Sequence, residues 1–187
     1  MEFEREIALK DGARCLLRSA READAEAVIE HFLRAHAETD FLLSDPDESG
    51  FDAAQERRFL ERKRASSREL MLVAELDGRI AGTAGVDALG EKYKLRHRAE
   101  FGISVERAYW GRGIGRALTN ACIEAARRAG YAQLELSVVA ENAAAIALYR
   151  SAGFVEYGRN PLGFRSRVSG DQALVLMRRA LSEEART

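Results

Sequence analysis

The sequence predicts a mixed α/β fold with a parallel strand pair inside the sheet, and three observations carry that expectation. Apolar periodicity switches repeatedly between strand and helix, in the order strand, two helices, three strands, helix, strand, helix, two strands. Asp77-Gly78 lies between two strand-like runs and supplies the positive φ angles of a tight hairpin turn. Strand 99–105, helix 114–129 and strand 134–139 form a unit long enough for a right-handed crossover, which sets its two strands parallel.

The elements follow in order. Ala13 to Ser19 reads as a short strand, and Ser19 with Glu22 forms a capping box for a helix through about His36, with Ala27, Val28, Phe32 and Leu33 as its apolar stripe. Asp40 to Gly50 is turn-rich, and Asp52 to Arg64 reads as a highly charged helix. Leu70 to Leu76 and Arg79 to Val86 form the hairpin, and polar residues 90–98 lead into strand Ala99 to Val105. A glycine cluster, Gly111, Gly113 and Gly115, precedes a helix from Ile114 to Ala129, with Gly130 as its C-cap. Leu134 to Val139 is a strand and Ala143 to Ser151 a helix; strands follow at Phe154 to Tyr157 and Ala173 to Met177. The ends, about 1–10 and 182–187, are expected to fray.

Composition narrows the function. The chain has 187 residues, 47% of them apolar, and no linker or repeat, so one domain over 1–187 is expected. Such a chain buries about 70% of its unfolded surface and needs no disulfide or metal staple. The 29 Lys+Arg against 30 Asp+Glu give a net charge of −1 and argue against a nucleic-acid partner, since phosphate binding rests on clustered cations. No window approaches a membrane span, and the acidic start Met1 to Glu6 differs from a signal peptide, so a cytoplasmic location is expected. Cys15 and Cys122 sit in apolar company without zinc spacing and read as small core hydrophobes; no metal site is expected.

The most informative stretch is Tyr109-Trp110-Gly111-Arg112-Gly113-Ile114-Gly115-Arg116-Ala117-Leu118, set between a strand and an amphipathic helix. Alternate glycines let the backbone approach a ligand, and the first helical turn offers N–H groups with no intrahelical partner. The helix dipole adds roughly half a positive charge there. Arg112 and Arg116 could add cations. The dinucleotide fingerprint fails because Gly113-x-Gly115-x-x ends on Leu118 and no acidic residue stands about 20 positions on. The Gly-Lys-Ser/Thr of a Walker loop is absent.

What remains resembles the Gcn5-related N-acetyltransferase (GNAT) family, whose pyrophosphate loop reads Arg/Gln-x-x-Gly-x-Gly/Ala. Trp110-Gly111-Arg112-Gly113-Ile114-Gly115 matches except at its first position, where Trp110 is expected to pack instead. From Asn142 to Phe154 the chain looks like the family's Asn-x-x-Ala-x-x-Leu-Tyr-x-x-x-Gly-Phe motif. The resemblance implies a mostly antiparallel sheet of six to seven strands with a splayed parallel central pair and about four helices. It implies acetyl-coenzyme A (acetyl-CoA) as cosubstrate and transfer to a primary amine of a small molecule or protein N-terminus. Main-chain groups of Ile103, Ser104 and Val105 would meet the pantetheine arm and acetyl carbonyl, residues Gly111, Arg112, Gly113, Ile114, Gly115 and Arg116 the pyrophosphate, and Asn142 the cofactor arm.

Acetyl transfer needs a neutral amine, a stabilised oxyanion and a proton for the departing thiolate. Tyr149 stands at the family's general-acid position and would also touch the coenzyme. For the base, Glu100 shares a strand face with Gly102 and Ser104, and His97 and Glu135 are alternatives beside a bound water; the glutamate some members carry is Ser137 here. His31 and His36 read as surface or packing residues. Acidic residues in 36–50 and arginines in 157–171 flank the expected acceptor region but select no substrate, and the resemblance leaves a homodimer open. A coenzyme-binding regulatory module without chemistry is the second reading, motivated by Trp110 and the undecided base.

Overall fold

The computed structural model describes residues 1–48, 50 and 52–181, and within them eight strands form one sheet. The strands are β1 (Glu4–Ala8), β2 (Arg14–Ser19), β3 (Leu70–Leu76), β4 (Arg79–Ala88), β5 (Arg98–Val105), β6 (Gln133–Val139), β7 (Val155–Ser166) and β8 (Gly170–Ala180). The helices are α1 (Ala25–Ala37), α2 (Ala53–Ala65), α3 (Ile114–Arg128) and α4 (Ala143–Ser151). The sheet order is β1-β2-β3-β4-β5-β6-β8-β7, and every neighbouring pair is antiparallel except β5 and β6.

Helices cover both faces. α3 and α4 pack on one, where Ala84, Phe101, Leu118, Leu136 and Phe154 join the larger core; α1 and α2 cover the other through Val28, Leu60, Val73 and Ile80. The Asp77-Gly78 turn has φ of 51° and 75°, as its type requires. Asp52 caps α2 by accepting the Ala54 amide at 2.9 Å.

Four expectations are corrected. The amino end expected to fray contains β1, a charged edge strand that gives no apolar alternation; Arg5 ties it to Glu124 on α3. The tail 182–187 lies outside the described residues. Ser19 does not cap a helix; its hydroxyl accepts the Phe3 amide, and the Arg21 amide is capped by Asp24 at 2.7 Å. The buried positions of α1 are Ala25, Val28, His31 and Ala35, whereas Leu33 is exposed. Finally, the expected loop 157–171 is mostly hairpin: β7 and β8 are longer than expected and turn between Ser166 and Gly170. Pro161 and Gly163 disguise β7, and both fit an edge strand whose register shifts between Asn160 and Phe164. A Cβ on Gly163 would lie 2.3 Å from Leu174 Cγ, so the close approach of the two strands requires glycine. β1 is the added strand that brings the count to eight from the six or seven expected.

Candidate active site

The site begins where the parallel pair stops pairing. β5 and β6 are in register at Arg98–Gln133, Ala99–Leu134 and Glu100–Glu135, and no further. Beyond Glu100 the β6-side edge of β5 is open. Strand alternation fixes which main-chain groups face that gap. At one end the His97 carbonyl accepts the amides of Ala132 and Gln133, on the β6 side; at the other the Glu106 amide donates to Ala81 on β4. Odd-numbered residues therefore turn their main-chain groups toward β6 and even-numbered ones toward β4. Ile103 presents its amide and carbonyl to the gap, and Val105 its amide, the Val105 carbonyl accepting from the Trp110 indole. Ser104, expected to do the same, pairs with Thr83 of β4 instead.

The glycine loop closes the mouth of this gap. Gly111 and Gly113 have φ of 75° and 107°, which side chains rarely adopt, and Gly113 is the N-cap of α3. Together with the first turn of α3, from Ile114, they leave main-chain N–H groups at a positive dipole end, a fit for a diphosphate. Trp110, expected to pack, is instead half exposed, and its indole Nε1 donates to the Val105 carbonyl at 2.6 Å and joins the loop to β5. Arg112 pairs with Asp11 at 2.6 Å, and its carbonyl accepts the Lys10 amide, so the β1–β2 turn supports the loop from below. The exposed Arg116 has no ion pair among the described residues and is the loop's available cation. Asn142 caps α4 by accepting the Ala145 amide at 3.1 Å, which leaves its amide nitrogen to donate.

The side chains divide between two faces. Tyr149 is buried in the α3/α4 core between the rings of Phe101 and Phe154, at 6.1 and 6.0 Å. Burial pushes its phenol up to about 12, so it stays protonated at neutral pH, and its hydroxyl has no hydrogen-bond partner among the described residues. Phe101 is the first β5 residue past the last paired one, and the Tyr149 ring packs edge-on against it. Glu100 lies on the opposite face, opposite Asp87 on β4 and Glu135 on β6. Burial, then the charges of Asp87 and Glu135, raise its carboxyl above the usual range, and no ion pair or hydrogen bond reaches it among the described residues.

The other candidates are either engaged or away from the gap's open end. Glu135 is buried under Arg98, which grips it through two nitrogens at 2.5 and 2.8 Å, and it also accepts from Gln133 and Tyr157. Burial would raise its carboxyl, but these partners outweigh burial and hold it low, a poor base. His97 is exposed at the closed end of the pair. Ser137 is exposed on β6 and is no acid or base. Cys15 and Cys122 are buried, and burial pushes Cys15 up to about 11 and Cys122 higher still, so neither is a ready thiolate. The flanking charges largely serve each other. Arg167 meets Asp45 at 3.1 Å and Asp47 at 2.7 Å, while Ser166 and Gln172 hold Asp40, so the β7–β8 turn is clasped to the segment after α1.

Known proteins share this architecture. Residues 27–154 match the model of the acetyltransferase (GNAT) family. The N-alpha-acetyltransferase RimI of Mycobacterium tuberculosis is 38% identical over 117 residues, 63% of this chain and 70% of that protein. A GNAT-family acetyltransferase structure from Streptococcus pneumoniae superposes with a TM-score of 0.85 at 30% identity, covering 90% of this chain and 99% of that one. The yncA acetyltransferase of Salmonella typhimurium, solved with its cofactor acetyl-CoA, superposes at 0.79 with 26% identity, covering 89% of this chain and 94% of the other. The chain belongs to the GNAT family. It is an N-acetyltransferase whose cosubstrate is acetyl-CoA.

Proposed function

We propose that this enzyme moves the acetyl group directly onto a primary amine, of a small molecule or a peptide or protein N-terminus, through the gap between β5 and β6. The observation that carries this reading is the end of pairing at Glu100–Glu135, with a free carboxylate on one face and a protonated phenol on the other. The pantetheine arm would occupy the missing strand position, taking main-chain hydrogen bonds from Ile103 and Val105, with its diphosphate on the loop 111–116. The amine approaches from the α1/α2 face, where Glu100 takes its proton directly or through a water. Attack on the thioester carbonyl forms the C–N bond and a tetrahedral oxyanion. Collapse breaks the C–S bond, and Tyr149 donates its proton to the leaving thiolate on the other face. The relative named as an N-alpha-acetyltransferase supports an α-amine as one acceptor class. No helix among the described residues is long and apolar enough to cross a membrane, which is compatible with the expected cytoplasmic setting.

The test is thiol release across a panel of amines and N-terminal peptides. Tyr149→Phe keeps the ring packing and should lower kcat at least tenfold with acetyl-CoA affinity unchanged. If the coenzyme binds but no amine in the panel, nor any protein in a cell extract, accepts the acetyl group, the regulatory-module reading replaces this one.

A further inference from the structure

One polar cluster near the gap has no part in the mechanism above. His31, on the inward stripe of α1, is 2% exposed and its Nε2 lies 2.8 Å from the Ser104 hydroxyl. Ser104 Oγ is 3.1 Å from Thr83 Oγ1 on β4. Behind the imidazole, His31 Nδ1 faces Glu106 Oε1 at 3.4 Å, and both of these buried atoms lack a hydrogen-bond partner. Glu106 is 4% exposed, with Arg34 and Arg79 at 4.0 and 3.9 Å. One set of protons satisfies the row: Thr83 donates to Ser104, Ser104 to His31 Nε2, and His31 Nδ1–H points at Glu106.

We propose that His31, backed by Glu106, is a positioning residue for the thioester arm: by accepting the Ser104 hydroxyl it fixes the pleat that aims the main-chain groups of Ile103 and Val105 into the gap. The mechanical reason lies in the sheet. Past Glu100, β5 has lost β6 on one edge and keeps a strand ladder with β4 alone, helped at Val105 by the Trp110 indole, so the strand segment that must stay rigid is the one with few partners. Ser104 lies between the two gap-facing residues, and its side chain is tied both to β4 through Thr83 and to α1 through His31. Proton transfer is the less suitable role for this row. Burial, with the nearby charges of His36 and Arg34, drives His31 down to about 4, too weak a base to hold a proton from serine at neutral pH. The inference rests on the gap being the seat of the pantetheine arm.

The experiment compares His31→Leu, His31→Gln and Ser104→Ala with wild type, using two probes in calorimetry: acetyl-CoA, and the nucleotide half of coenzyme A alone, adenosine 3′-phosphate 5′-diphosphate. His31→Gln keeps an acceptor for Ser104 and serves as the conservative variant; His31→Leu removes it. In folded protein, His31→Leu and Ser104→Ala should each raise the Kd and KM for acetyl-CoA about fivefold or more, leave the nucleotide half's Kd unchanged, and keep kcat within about threefold. His31→Gln should recover most of the loss, and the double variant His31→Leu with Ser104→Ala should lose no more than either single one. Should His31→Leu fail to fold, Ser104→Ala and His31→Gln still decide. Unchanged acetyl-CoA affinity in Ser104→Ala, equal losses for both probes, or a fall in kcat at unchanged KM overturns the proposal. If wild type binds acetyl-CoA no more tightly than the nucleotide half, the gap itself has been misplaced, which is a separate failure.

Discussion

Gly113→Ala puts the coenzyme loop under the most direct strain. Gly113 caps α3 at φ 107°, and a Cβ there would meet nothing nearer than Lys10 Cγ at 4.0 Å, so the cost is conformational and not a clash. An L-residue forced to positive φ loses about 1–2 kcal/mol. If the loop keeps its shape, that loss appears as a melting temperature about 2–8 °C lower for a chain of this size. If the loop relaxes by turning a peptide, the strain is relieved but a main-chain N–H leaves the cup. A hydrogen bond to a charged diphosphate contributes about 1.5–3 kcal/mol, so acetyl-CoA affinity would then fall about 10- to 150-fold. Gly115→Ala is the internal control. Gly115 is inside α3 at an ordinary φ, its Cβ would touch Leu148 Cδ2 at 3.4 Å, and the family pattern allows alanine at that position. It should bind within about twofold of wild type while gaining up to about 1 kcal/mol of helix propensity. Scanning fluorimetry without ligand and calorimetry with acetyl-CoA read the two quantities separately. A Gly113→Ala protein that melts and binds like wild type would show that this loop neither needs its left-handed turn nor holds the diphosphate.

Two further expectations concern the chemistry. Because burial, Asp87 and Glu135 raise the Glu100 carboxyl above its ordinary 4.5, the acidic limb of kcat/KM should lie above that value and rise with pH as Glu100 ionises. Glu100→Gln should abolish the limb, and Asp87→Asn, by removing one repelling charge, should move it down; a limb unmoved by either assigns the base elsewhere. Direct transfer also predicts that Cys15→Ala with Cys122→Ala spares turnover per folded molecule, at about 1–2 kcal/mol of stability for each emptied core position. Loss of activity with coenzyme binding intact would place a thioester on the protein.

Where strong local chemistry sets an element, the sequence was legible. Asp77-Gly78, Asp52 and Gly130 each punctuate an element within about a residue of where the chain turns, because a positive φ or a cap is a property of the residue itself. The loop and the Asn142 to Phe154 stretch were legible for the same reason, as backbone demands written in residue type. β1 was not, because Glu4-Arg5-Glu6 on an edge strand carries no apolar alternation. His31 reads from sequence as a surface or packing residue, and it does pack, since its spacing from Val28 and Ala35, three and four residues away, puts all of them on the inward face of α1; its hydrogen-bonding role is what the sequence hides. Its partners Ser104 and Glu106 stand more than 70 residues away, and no local pattern brings them together. Trp110 reads as packing in the sequence because its indole N–H finds its acceptor only once β5 ends at Val105. The charged stretches 36–50 and 157–171 select no substrate in the sequence, and the fold gives the reason: Arg167 and the aspartates are each other's counter-ions.

The division of labour along β5 follows from the period of two in an extended strand. Even-numbered side chains, Glu100 and Ser104, point to the α1/α2 face, where one awaits the acceptor and the other is gripped by His31. Odd-numbered side chains, Phe101, Ile103 and Val105, point to the α3/α4 core, where Phe101 holds the ring of Tyr149 in place. The same odd residues turn their main-chain groups to the gap, because side chain and peptide alternate together. A one-residue slip of β5 would therefore exchange all of these roles at once, carrying the carboxylate into the core and the phenylalanine to the acceptor side. That coupling makes register the quantity the site most needs to hold. Among the described residues the only antiparallel partner of β5 is β4, so substitutions that loosen the β4–β5 ladder should harm catalysis more than ones of equal thermodynamic cost in the β7–β8 hairpin.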